Sequence, residues 1–171
     1  MGFEWHYEVM PHWSNLSPSA RATSLTKTSP IAAPFALPQS LEPALAHVHT
    51  YWLSLRRGQA DIPFADDLKL SALNAAGADP ILVDVFERPF RFRIAVAGRS
   101  IVARYGQAVE GLFADEVVPK APLDFFLSQC SATLEGRAPT YYRAPAAPSY
   151  SRLILPLWGD GHINGLICAI A

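Results

Sequence analysis

The sequence predicts an α+β fold: a five-stranded antiparallel sheet with helices packed on one face and an N-terminal helix covering the other. Three observations predict it. Apolar residues recur at helical spacing over 41–55 and again over 123–134. Residues 90–97 alternate apolar and polar with period two, as a half-buried antiparallel strand does. Gly159-Asp160-Gly161 joins two apolar runs, a strong hairpin signal.

A chain of 171 residues, half of them hydrophobic and 17% charged, fits one domain with a packed core. The formal net charge of -1 argues against nucleic-acid binding, which needs a basic face to neutralise phosphates. Cys130 and Cys168 lie in apolar surroundings without CxxC spacing and read as core thiols of a reducing compartment. Met1 to Met10 carry Glu4, His6 and Glu8 and no apolar core, so no secretory signal is expected. His6 stands where a myristoylation signal wants Ser or Thr. No apolar run approaches the roughly 20 residues of a membrane span. A cytoplasmic protein without membrane or nucleic-acid partners is expected.

Residues 1–39 form the first expected region, a flexible Pro/Ser-rich segment in which Pro11, Pro18, Pro30, Pro34 and Pro38 block regular hydrogen bonding. Its aromatics Trp5, Tyr7 and Trp13 either dock on the domain or a partner or hang free. The domain proper spans 40–171. Ser40 is the expected N-cap of a first helix that buries Leu41, Leu45, Val48, Trp52 and Leu55. Arg56 and Arg57 suit its negative end, and Gly58 its stop. A short second helix is capped by Asp66 or Asp67, buries Leu70 and Leu73, and ends at Gly77.

Pro80 to Phe86 reads as a strand and Glu87-Arg88-Pro89 as a turn. Phe90, Phe92, Ile94 and Val96 then make the apolar face of the next strand. A short helical piece covers Ser100 to Tyr105. A longer helix runs from Pro122 to Glu135, with Leu123, Phe126, Leu127, Cys130 and Leu134 as its buried stripe and Gly136 at its stop. Thr140 to Ala144, Ser151 to Trp158 and His162 to Ile170 are the last strands. Two hairpin-linked strands are not stable alone, so they must share a sheet with the last three. The Ser151 to Trp158 strand is apolar on both sides, so its second face needs a cover, for which the first helix is the natural candidate.

The order ββ, helices, βββ is that of the PAS fold. Tyr51-Trp52-Leu53-Ser54-Leu55-Arg56-Arg57-Gly58 resembles the YW-x-x-LR-x-G opening of a PAS-like family of small, mostly stand-alone bacterial proteins. Val83-Asp84-Val85, Phe90-Arg91-Phe92-Arg93 with Gly98, Tyr105-Gly106 with Gly111, and Leu155-Pro156-Leu157 with Asp160-Gly161 resemble its later motifs in order. Pro63-Phe64-Ala65 and Gly98-Arg99 depart from the family's Pro-Arg and Gly-Thr. The resemblance covers Leu41 to the C-terminus. It implies a sensory, signal-transducing or protein-interaction module with no assigned ligand; the missing nucleophile, base and cofactor set argues that the chain is not an enzyme.

The chemistry-bearing residues are sparse. No G-x-S-x-G occurs; His162 beside Asp160 reads as a polar pair in a hairpin, since no nucleophile or oxyanion hole is placed near it. His47 and His49 would point about 200° apart on a helix, so no metal site is expected. The 122–135 helix lacks the histidine of a PAS-type haem site, and the flavin-photoreceptor cysteine motif is absent, so the cofactor stays unknown. Arg91 and Arg93 share a strand face that meets either solvent or an acidic partner. A small, mostly apolar ligand between sheet and helix would touch Phe92, Ile94, Tyr105, Phe126, Cys130 and Tyr142. Homodimerisation is expected through the first helix, at Leu45, Val48 and Trp52. The main expectation is thus a PAS-like regulatory module with a protein partner. The alternative is a small α+β enzyme with a site near His162, Asp160 and Tyr142, joined by Arg93.

Overall fold

The computed structural model describes residues 34–75 and 79–171. Most of the segment expected to be flexible, residues 1–33, and the expected helix end at Gly77 lie outside the described residues. The elements are α1 (Pro43–Ser54), a 3-10 turn (Ala65–Asp67), α2 (Leu70–Ala75), β1 (Asp79–Glu87), β2 (Phe90–Ala97), α3 (Arg99–Tyr105), α4 (Phe126–Gly136), β3 (Thr140–Arg143), β4 (Ser151–Gly159) and β5 (His162–Ile170). The strands form one antiparallel sheet in the order β2-β1-β5-β4-β3. Among the described residues no helix is long and apolar enough to cross a membrane.

Local chemistry moves several boundaries. Glu42, not Ser40, holds the cap position of α1, because Pro43 opens the helix with its φ preset and no N–H to satisfy. Arg56 and Arg57 lie beyond α1 and pair with Asp61 and Asp67 instead of closing the helix. Asp66 and Asp67 form the 3-10 turn and do not cap α2, in which Leu73 is buried and Leu70 is exposed. In β2 the pairing shifts one residue between Leu82 and Val83 of β1. That bulge turns Ala97, rather than Val96, onto the buried face. Phe90 lies past the last core residue of its strand and is 63% exposed.

The longest correction concerns α4, which starts at Phe126 and not at Pro122. Phe125 adopts a left-handed φ of 55°. The carbonyls of Pro122 and Asp124, which a helix would direct along its axis, accept hydrogen bonds from the Arg152 guanidinium at 2.9 and 2.7 Å. Leu127, expected in the buried stripe, is 40% exposed, whereas Gln129 and Thr133 are fully buried.

Two apolar cores lie on the two faces of the sheet. On one, Val83, Phe92, Ile94, Leu166 and Cys168 pack against Ile101 and Tyr105 of α3 and Phe126 and Cys130 of α4. On the other, Leu45, Val48 and Trp52 of α1, with Leu73, pack on Leu153, Leu155, Leu157, Ile167 and Ala169. Trp52 Nε1 donates to the Pro156 carbonyl at 2.8 Å. Side chains of this size contribute about 1.5–3 kcal/mol each when fully buried. Both sheet edges are paired. Residues 111–114 bond to the outer edge of β2, with Ala114 N donating to Phe92 O at 2.7 Å. Tyr141 N of β3 donates to the Phe35 carbonyl at 3.0 Å. Covered edges resist pairing with other chains.

Candidate functional site

α4 presents two different faces. Toward the sheet it places Phe126, Gln129, Cys130 and Thr133, all buried. Gln129 Oε1 accepts from Arg152 Nε at 2.7 Å, and its Nε2 donates to the Thr140 carbonyl at 3.2 Å. The Thr133 and Thr140 hydroxyls lie 2.6 Å apart. Arg152 is fully buried and, among the described residues, forms no ion pair with a carboxylate. Its charge is met by three oxygens and by the ring faces of Phe126 and Tyr142, at 5.4 and 5.3 Å. A buried cation so satisfied fixes where α4 begins and how it lies on β4.

The other face of α4 turns Leu127, Ser131 and Leu134, at i, i+4 and i+7, toward a cleft of about 640 Å³. Its opposite walls are Phe90 and Phe92 of β2 and the β4–β5 hairpin, which contributes Trp158, His162 and Ile163. Glu87, Glu135 and Arg137 complete the rim. Three elements distant in sequence therefore converge here, a common construction for a ligand pocket.

The hairpin owes its shape to two features. Asp160 and Gly161 both take positive φ, 52° and 83°, as a tight two-residue turn requires. The β4–β5 register shifts between Leu157 and Trp158, pairing Trp158 with Ile163 and Leu157 with Gly165. The extra residue, Asn164, lets Ile163 and Leu166 both face the α4 side although they are three apart. Trp158 is held from the other side by its backbone N–H, which donates to Pro63 O at 2.8 Å. The Arg137 guanidinium lies over the Trp158 ring at 5.0 Å, and the two residues also line a smaller cavity of about 290 Å³ with Ile62 and Phe64.

Of the residues expected to bind a ligand, Phe92, Ile94, Tyr105, Phe126 and Cys130 are brought together, but as packed core at 0–3% exposure. Phe92 alone among them also lines the cleft. The Tyr105 hydroxyl donates to the Val118 carbonyl at 3.0 Å. Tyr142, partly buried, packs against the same core and joins a cluster of rings with Phe35, Phe125 and Tyr150. Leu45, Val48 and Trp52, expected at a dimer interface, are 0–3% exposed and turned into their own chain's core, so those side chains are not available to a second copy.

The elements of the alternative catalytic site do not meet. His162 Nδ1 lies 3.2 Å from the backbone oxygen of Asp160, not from its carboxylate, which accepts from Asn164 Nδ2. Tyr142 pairs with Arg152 at the far end of β4, roughly 20 Å away at strand rise. Arg93 is paired with Asp84 at 2.6 Å and Arg91 with Asp115 and Glu116, so both arginines find acids within the chain. Burial raises the thiol pKa of Cys168 to about 12 and that of Cys130 further, the latter helped by the neighbouring Cys168. Both stay protonated and unreactive at neutral pH. Among the described residues no group of three or more His, Cys, Asp or Glu could hold a metal ion.

Sequence reasoning missed Arg152, Gln129 and the outer stripe of α4. Arg152 carried a readable signal, a charge inside an apolar strand. Compared with known proteins, the chain matches no family model and no curated protein.

Proposed function

We propose that this chain is a PAS-like regulatory module that takes a small, mostly apolar ligand and acts through contacts with another protein. The observation that carries the reading is the cleft between α4 and the β4–β5 hairpin, walled by Phe92, Leu127, Leu134, Trp158 and Ile163. The chain order supports it as well: two strands, then helices, then three strands in one sheet, with α1 on the outer face. A ligand in the cleft meets the β1–β2 and β4–β5 turns at one end of the sheet, and β5 pairs with both β1 and β4. Occupancy is thereby coupled to the central strand of the sheet, which gives a partner protein something to read.

The test is a titration of the full chain with Nile red, an uncharged apolar probe. Saturable one-site fluorescence enhancement is expected, lost in Ser131→Trp, whose indole fills the cleft while the circular dichroism spectrum stays unchanged. No saturable binding, or binding untouched by the substitution, overturns the reading.

A further inference from the structure

Building on the reading of the cleft as a binding site, we propose that its ligand is an amphipathic organic cation: an ammonium group on an apolar body. Among the carboxylates whose side chains are described, Glu42, Asp61, Asp67, Asp84, Glu110, Asp115, Glu116, Asp124 and Asp160 each meet a donor within the chain. The remainder are Asp66, Glu87 and Glu135, and the last two line the cleft. Arg137 lines the same cleft but pairs with neither; its guanidinium rests on the Trp158 ring. With His162 counted neutral, two carboxylates against one guanidinium leave the lining with one net negative charge. The carbonyl end of α4, which stops at Gly136, adds negative potential at the same rim.

The walls select for the same sign. Phe90, 63% exposed, is among the residues that line the cleft, and aromatic rings attract cations. Arg137 over the Trp158 ring is a cation on an aromatic face among the residues that line this cleft. An ammonium head at the Glu87 and Glu135 rim leaves its apolar body to Phe92, Leu127 and Ile163. A carboxylate head would meet two like charges there against the single guanidinium of Arg137.

Decylammonium and decanoate, each below its micelle concentration, and decanol, below its solubility limit, are competed against Nile red on the full chain. Decylammonium is expected to displace the dye at least tenfold more tightly than decanoate, with decanol between them. The Glu87→Gln/Glu135→Gln variant should reduce decylammonium affinity about tenfold and leave Nile red affinity unchanged. Saturable Nile red binding with decanoate equal to or tighter than decylammonium, or an unchanged double variant, overturns this inference and leaves the cleft reading intact. Failure of Nile red to bind overturns both.

Discussion

On one face of the sheet α1 lays Leu45, Val48 and Trp52 over the leucines of β4 in a mainly apolar contact, with a hydrogen bond from Trp52 to Pro156 and others to Glu42 at the helix start. On the other, α4 is fastened to β4 through Arg152, Gln129, Thr133 and Thr140 as well as through apolar packing. Apolar contacts are non-directional, so α1 could shift slightly and still bury its stripe. Hydrogen bonds between buried polar groups have fixed geometry, and a misplaced α4 would leave several of them unmade. The polar face therefore sets the register of α4, and with it the orientation of the Leu127, Ser131 and Leu134 stripe that walls the cleft. Stability resides on both faces, whereas the site depends on one.

Substitutions that remove polar atoms and keep bulk should separate the two faces. Arg152→Met leaves Gln129 Oε1 and the carbonyls of Pro122 and Asp124 without donors. At about 1–3 kcal/mol for each orphaned acceptor, offset by relief of a buried charge, the loss should be on the order of 3 kcal/mol in urea denaturation. Trp52→Phe removes one donor and some volume and should cost about 1–2 kcal/mol. Nile red affinity should fall with Arg152→Met, which frees the start of α4, and stay unchanged with Trp52→Phe. Equal stability losses, or loss of dye binding in the Trp52 variant, would break the contrast.

A smaller effect is expected at Glu42, which ties the start of α1 to β3 and β4. Burial raises its carboxyl pKa, but hydrogen bonds from the Ser151 hydroxyl at 2.6 Å, from its own backbone N–H and from Tyr141, with the Arg143 charge, bring the net value below the ordinary one. A depressed folded-state pKa contributes stability that is present above the unfolded carboxylate pKa and lost as pH falls through the folded value. Melting temperature between pH 6 and pH 3 should therefore fall more steeply in the parent chain than in Glu42→Gln. Parallel curves would remove this carboxylate from the account.

The two faces were also unequally legible in the sequence. The stripe of Leu45, Val48 and Trp52 follows from helical period alone, and the apolar residues on both sides of β4 show that a second cover is needed. On the α4 side, period assigned Leu127 to the core and overlooked Gln129, because hydrophobicity does not reveal which polar group will find buried partners. The start of α4 was misplaced for the same reason: Pro122 and Asp124 are good first-turn residues, and only a tertiary contact from Arg152, 28 to 30 residues later, redirects their carbonyls. The bulges opposite Leu82 and at Asn164 reverse strand faces without a glycine or proline at the bulged residue to announce them. The cleft depends on the second of these, so it could not be read from alternation.

Hydrogen–deuterium exchange on the full chain, with and without saturating Nile red, tests the division between the faces most directly. Slower exchange is predicted over 127–137 and over the hairpin at 158–163, with the amides of α1, 43–54, unchanged. Protection that falls on α1 while α4 and the hairpin remain unaltered would contradict the assignment of ligand binding to the α4 side.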